Sequence, residues 1–299
     1  MYEYHIPVLL NECLEGLNIK PNGIYVDATF GGGGHSREIL ARIPQGRLLG
    51  FDQDPDAQKN AFDHPNFTFI RSNFKFLENF LRHNNAEQVD GILADFGISS
   101  HQIDDARRGF MFRNEAPLDM RMNTETGITA ADILNQYDFV KLIRIFRDYG
   151  EILNAKPLTE RILNARTNKL FAQNSDLIEA VAGLYPKQKE NKFLAQVFQS
   201  LRIEVNNEIE ALEAFLEQCI QVLKPGGRLV LLTYHSLEDR PVKNLIKTGN
   251  VEGNVIQDFY GNVQTPFQLI TKKPITASEE ELERNSRARS AKLRVAEKL

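Results

Sequence analysis

Gly23-Ile-Tyr-Val-Asp-Ala-Thr-Phe-Gly-Gly-Gly-Gly-His-Ser36 is the segment on which the reading of this chain turns. Ile24, Tyr25 and Val26 are β-formers and Asp27 ends the run, while Ser36-Arg-Glu-Ile-Leu-Ala-Arg42 has the character of a helix. Between them lie Gly31 to Gly34. A strand, a glycine turn and a helix N-terminus make a backbone cradle for a nucleotide-like ligand, because glycine permits close approach and positive φ. A tight βα turn without a ligand has the same local signature. Dinucleotide folds use G-x-G-x-x-G, in which the third glycine packs helix on strand. Here Gly31-x-Gly33 is followed by Ser36, so that third glycine is missing.

The chain of 299 residues, 42% hydrophobic, can bury one large core, or one core and a smaller domain. Its net charge of −4 offers no global basic field, so a nucleic-acid partner has to be met by local patches. Cys13 and Cys219 are the only cysteines and no C-x-x-C occurs, which excludes a disulfide framework and argues against structural zinc. Both lie on apolar helical faces and read as core thiols. The N-terminus lacks the charged and apolar regions of a signal peptide, and nowhere do ~18 apolar residues run together. A soluble, cytoplasmic protein with no membrane partner is expected.

Tyr4-His-Ile-Pro-Val-Leu-Leu10 leads into a short helix ending near Gly16, a lid or docking piece before the first strand, Gly23–Asp27. Further short apolar runs follow at Gly46–Asp52, Phe67–Ile70 and Asp90–Asp95, and Asp54-Pro55 opens a helix after the second. Strands alternating with helices mean βαβ units and a parallel sheet buried on both faces. The next convincing strand is Arg228–Tyr234, entered through Lys224-Pro-Gly-Gly227 after a helix over Glu208–Leu223. Residues 96–227 are far more than a crossover needs. Within them Asp138 caps one amphipathic stretch (Phe139, Leu142, Ile143, Phe146) and Ser175 caps another (Leu177, Ile178, Val181). Residues 106–205 are therefore expected to form a helical domain inserted in a discontinuous sheet domain, 1–105 and 206–299. Two alternating strands, Phe267–Thr271 and Lys292–Ala296, close the chain, separated by a Ser278-x-x-Glu281 capping box.

In open α/β sheets ligands bind beyond the carboxyl ends of the strands. The residues expected there are Asp27 with the glycines, Asp52, Phe74, Asp95 and Tyr234-His235. Asp52 is placed to accept hydrogen bonds from ribose hydroxyls, which supports a nucleoside without saying which. Phe74 suits either an adenine neighbour or the core.

Seven ordered blocks then make a resemblance specific. Asp27-Ala-Thr-Phe-Gly-Gly-Gly-Gly-His-Ser36, Asp95-Phe-Gly-Ile-Ser-Ser100, Arg108-Gly-Phe110, Pro117-Leu-Asp-Met-Arg-Met122, Arg202-Ile-x-Val-Asn206, His235-Ser-Leu-Glu-Asp-Arg240 and Arg287-Ala-Arg-Ser-Ala-Lys-Leu-Arg294 span nearly the whole chain. Together they resemble the bacterial small-subunit rRNA cytosine-N4 methyltransferases, the MraW family. The resemblance implies an α/β, Rossmann-like methyltransferase fold with a seven-stranded, mostly parallel sheet and an all-helical insert. It implies S-adenosylmethionine (SAM) bound by Gly33, Gly34, His35, Asp52, Phe74, Asp95 and Gln102. It also implies methylation of a decoding-region cytosine amine in 16S rRNA, with the small ribosomal subunit as partner; a monomer and a homodimer are equally compatible. Two departures stand out: His101 where proline is expected, and Glu115-Ala116 where Asp-Gly is usual.

The residue chemistry agrees with an amine acceptor. Cytosine-C5 methylation needs a cysteine nucleophile, and neither Cys13 nor Cys219 ends a strand. An exocyclic amine attacks the methyl group directly, so the enzyme must orient it and accept its proton. Asp95 is the best-placed acceptor and His235 the other candidate base, although a structural histidine reads the same way. Arg107, Arg108 and Arg113 near the fourth strand, with Arg287 and Arg289 near the C-terminus, are expected to position RNA phosphates. Arg121, Arg284, Lys292 and Arg294 swell the same two clusters, and salt bridging is the competing role for each. The target base must be unstacked to react, and the insert is expected to wall its cleft. A SAM-dependent enzyme acting on a protein or small-molecule amine, and a SAM-binding ribosome-assembly factor, are the alternatives.

Overall fold

A computed structural model describes residues 7–113 and 115–299. Helix α1 (Leu10–Leu17) precedes β1 (Ile24–Asp27), α2 (Gly34–Arg42), β2 (Arg47–Asp52), β3 (Phe67–Arg71), α3 (Leu77–His83) and β4 (Val89–Asp95). Six helices follow: α4 (Ser100–Asp104), α5 (Ala130–Gln136), α6 (Phe139–Asp148), α7 (Ala155–Asn168), α8 (Asn174–Val181) and α9 (Glu190–Asn206). Helix α10 (Glu208–Val222) returns to β5 (Leu223–Thr233), then α11 (Ser236–Thr248), β6 (Phe267–Leu269), α12 (Glu279–Arg284) and β7 (Lys292–Lys298). Tyr4, His5 and Ile6 of the expected N-terminal piece lie outside the described residues. Among those described, no helix is long and apolar enough to cross a membrane.

The sheet has seven strands in the order β3-β2-β1-β4-β5-β7-β6. The first five in the chain run parallel, and β7 is antiparallel to both β5 and β6. Chain direction out of β1 is toward β2 on one side and β4 on the other, so the switch point falls between β1 and β4. Strand β5 starts earlier than the sequence indicates because Leu223 pairs with Val89 across an irregularity before Gly91 meets Arg228. It stops at Thr233, one residue short of Tyr234.

Both faces of the sheet are buried, which is why its strands read as continuous apolar runs. Val26, Leu49, Phe51, Ile92 and Leu231 face one core with Leu77, Leu81, Leu212, Phe215, Cys219 and Leu245 from α3, α10 and α11. Tyr25, Leu48, Leu93, Val230 and Leu232 face the other with Cys13, Leu17, Ile39 and Ile43 from α1 and α2. The two cysteines are thus free, buried thiols in opposite layers. Each such aliphatic side chain contributes about 1.5–3 kcal/mol by leaving water.

Two compact units result: one runs to Gly97 and resumes at Ile209, the other is Ile98–Glu208. The helical unit has its own core, including Leu142, Phe146, Leu158, Ile162, Leu177, Val197 and Leu201. Asp138 caps α6 by accepting from Lys141 N at 2.8 Å. Helix α8 starts one residue before the expected cap: Gln173 caps it, and Ser175 Oγ instead donates to Glu115 Oε1 at 2.8 Å. Asp54-Pro55 opens a 3₁₀ turn, Pro55–Asn60, in place of an α-helix.

Candidate active site

Three aspartates close three neighbouring parallel strands at their carboxyl ends: Asp27 on β1, Asp52 on β2 and Asp95 on β4. Asp27 is buried, accepting from Ser36 Oγ at 2.6 Å and Thr29 N at 3.1 Å. Asp52 accepts from Gly31 N and Asp54 N, both at 2.8 Å, which ties the glycine turn to β2. Asp95 Oδ1 accepts from Tyr234 Oη at 2.6 Å, and the Asp95 backbone N–H donates to Thr29 Oγ1 at 2.7 Å. Burial is the largest influence on all three and pushes each carboxyl up to about 6, against these hydrogen bonds. Asp27 is the most enclosed; Asp52 and Asp95 are half-buried, so solvent tempers the upward push there.

Gly33 caps α2 with φ of 73°, and a Cβ there would meet Phe30 and Phe62 at 2.8 Å. A Cβ on Gly32 would meet nothing within 4 Å, so one side of the turn is open. His35 is buried, with Nε2 3.0 Å from the Val8 carbonyl. A carbonyl only accepts, so Nε2 carries the proton. Burial lowers the His35 pKa, and the ring is neutral near pH 7. The same N-terminal residues are pinned by Leu9 N donating to Glu281 Oε1 at 2.7 Å. Ser278 caps α12 as expected, but the Glu281 carboxylate serves this distant backbone.

His235 caps α11, and its Nε2 is 3.1 Å from Glu238 Oε1. Glu238 is buried, and its other oxygen accepts from Tyr234 N at 2.7 Å. Phe74 opens a 3₁₀ turn, half-buried, with ring centroids 5.8 Å from Phe96 and 5.2 Å from Phe215. The core role that the sequence leaves open is thus real for this ring. Gln102 belongs to the helical unit, where Ser99 N donates to its Oε1 at 3.0 Å in the capping box of α4. His101 stands exposed on that helix, and the cap forms without a proline.

The expected basic residues divide. Arg107, Arg113 and Arg289 are exposed, and Arg287 is half-buried. Arg107 chelates Asp105 at 2.9 and 2.8 Å, which holds that carboxyl down at about 2. Arg108 is corrected from a surface cation to an interior one: it is buried and donates to the carbonyls of Arg121 and Met122 at 3.0 and 2.8 Å. Gly109 beside it has φ of 73°, and a Cβ would press on the Pro117 carbonyl. Arg121 pairs with Asp119, and Arg294 on β7 pairs with Asp239 at 2.7 and 3.0 Å. Lys292 lies 3.7 Å from the same carboxylate.

Four acids, Asp27, Asp52, Asp95 and Glu238, and a neutral histidine therefore line the strand ends beside an open glycine turn and a helix N-terminus. Acids suit the cationic sulfonium and ammonium groups of SAM and its ribose hydroxyls, and the free N–H groups at the start of α2 suit its carboxylate. The residues present fit that cofactor. Tyr234, Thr29, Ser36 and Glu238 complete the arrangement, and Tyr234 and Glu238 stand inside or beside the His235–Arg240 block that marks their position in sequence.

The family model described as the MraW methylase family matches residues 2–299. "Ribosomal RNA small subunit methyltransferase H" of Bacteroides thetaiotaomicron is 57% identical over 99% of this chain and 97% of its own length. The protein of that name from Phocaeicola vulgatus is also 57% identical, with the same coverage of both chains. Its Parabacteroides distasonis namesake is 56% identical over 99% of this chain and 98% of its own. Seven sequence blocks, the strand-end acids and a match from one end of the chain to the other agree: this chain belongs to the MraW methylase family.

Proposed function

We propose that this protein methylates the exocyclic N4 amine of a decoding-region cytosine in 16S rRNA, with the small ribosomal subunit as its partner in the cytoplasm. The observation that carries this reading is the match over residues 2–299 to the MraW family, joined by relatives named for small-subunit rRNA methylation. SAM is the methyl donor and supplies, when bound, an electrophilic methyl group on a sulfonium. Gly33, Gly34 and His35 hold its amino-acid end, and Asp52 takes the ribose hydroxyls. Phe74 flanks the adenine, with Asp95 and Gln102 as further contacts.

The acceptor chemistry follows from what the chain provides. Cys13 and Cys219 are buried in helix-packed cores, and burial pushes both thiols well up, which removes the nucleophile that C5 chemistry needs. The amine lone pair of cytosine is delocalised into the ring, so Asp95 orients the amine and takes its proton. His235, braced by Glu238, is the second acid–base group. Arg107, Arg113, Arg287 and Arg289 contact phosphates, and the helical insert, residues 106–205, serves substrate recognition.

Purified small subunits incubated with tritiated SAM and then digested to nucleosides test this directly. Label in N4-methylcytidine is the expected result. Label in another nucleoside or in protein, or SAM binding with no transfer to any acceptor, overturns it.

A further inference from the structure

The carboxylate read above as proton acceptor has a second residue controlling it. Tyr234 lies directly after β5, and its hydroxyl donates to Asp95 Oδ1 at 2.6 Å across 139 positions of sequence. Its backbone N–H donates to Glu238 at 2.7 Å, so the residue is held at both ends. Asp95 is held through its own N–H on Thr29. Among the described residues none donates to Asp95 Oδ2. One oxygen of the pair is spoken for, and the half-buried side chain keeps the other for a further donor.

We propose that Tyr234 is a positioning residue for methyl transfer: by occupying Oδ1 it presents Oδ2 of Asp95 as the acceptor for the reacting amine. The inference rests on the reading of Asp95 in the proposed function. In the step it serves, the N4 lone pair forms the new N–C bond as the C–S bond breaks and its electron pair passes to sulfur. The surplus N4 proton moves to Asp95 Oδ2.

A carboxylate that receives this proton must be ionised beforehand. Burial opposes that, as do the neighbouring carboxylates of Asp27 on β1 and Glu238 on α11. The Tyr234 hydroxyl favours it, and His35 on α2 does so only in its protonated form. Cys13 on α1 faces the same acids, which with burial keep its thiol protonated. Tyr234 itself stays protonated, because burial and the charge of Asp95 raise its pKa. It is therefore a permanent donor to Oδ1, and a neutral donor to a charged acceptor makes a strong hydrogen bond.

The test is the pH profile of methyl transfer to purified small subunits by the wild type and Tyr234→Phe, with SAM affinity measured alongside by calorimetry. Removing the hydroxyl should move the acid limb upward by on the order of one pH unit, so the variant loses about fivefold near pH 6, approaches about a tenfold loss well below that, and loses less as the pH rises. A fluorinated tyrosine at position 234, a stronger donor, should move the limb the other way; it carries the test if the phenylalanine variant does not fold. Acid limbs that coincide with wild type, or an equal loss at every pH, overturn the inference. Asp95→Asn separates the two levels: full activity there sinks the acceptor reading itself, whereas an inactive Asp95→Asn beside an unmoved Tyr234→Phe limb removes only the role of Tyr234.

Discussion

The polar residues of the family blocks behave differently in the two units. In the helical unit they are consumed by structure. Arg108 spends its guanidinium on two backbone carbonyls, Asn206 clasps Met120 O and Met122 N at 2.8 and 2.7 Å, and Arg202 chelates Glu208 with two contacts of 2.8 Å. Arg108 and Asn206 fasten a loop whose backbone would otherwise be buried without partners, and Arg202 is consumed by a carboxylate on the next helix. At the strand ends of the sheet unit, Asp27, Asp52 and Asp95 are each held by hydrogen-bond donors, yet Asp52 and Asp95 keep part of their surface open. Equally recognisable motifs thus divide into loop fasteners and carboxylates left with capacity for a ligand.

That contrast can be broken by mutation. The largest effect belongs to Asp95→Ala, which should lower methyl transfer by about 10³-fold or more with little change in the unfolding midpoint, as expected for loss of a proton acceptor. Wild-type turnover would return Asp95 to the fasteners. Arg108→Ala should do the opposite: a cost of about 2–4 kcal/mol in urea denaturation, from interior carbonyls left without donors, with turnover of the folded fraction retained.

His235→Ala should reduce kcat by roughly tenfold to a hundredfold while SAM affinity, read by calorimetry, stays near wild type. A large loss of SAM affinity would move His235 to the cofactor side.

The strand-end acids also carry a pH signature. A carboxyl whose folded pKa is raised to about 6, as for Asp27, holds its proton longer in the folded state than in the unfolded chain. Its favourable contribution is complete below the unfolded value near 4 and is lost as pH rises through about 6. Thermal midpoints of the wild type relative to Asp27→Asn should therefore fall between about pH 4 and pH 6, and saturating SAM should offset the fall. A difference that is flat with pH counts against the buried-acid picture. The smallest expected effect is that of Arg107→Ala with Arg289→Ala: weaker subunit binding at low salt and a salt slope shallower by about 0.7–0.9 per lost phosphate contact, without change in kcat.

Some of this was legible residue by residue. Asp27, Asp52 and Asp95 could be placed because each ends a short apolar run, and a run buried on both faces has no other place for a charge. The cap at Asp138 was legible for the same local reason. Arg108 was not, because an arginine beside another arginine reads as surface charge until the Arg121 and Met122 carbonyls are seen converging on it. Glu281 was half legible: its capping-box spacing is local, but its carboxylate serves Leu9, 272 positions away.

Taken alone, the sequence determined the strand–turn–helix opening, the parallel alternation, the helical character of residues 106–205 and the methyltransferase resemblance, all of which depend on spacing over a few residues or on ordered blocks. Only the tertiary structure decided which acid meets which donor. The pairing of Asp95 with Tyr234 exists because β4 and β5 lie side by side in register, Asp95 opposite Leu232, which brings the last residue of β4 close to the residue just beyond β5. Periodicity identifies which face a side chain takes, but a hydrogen bond needs both partners within about 3 Å, and that distance is set by strand order and register across the sheet.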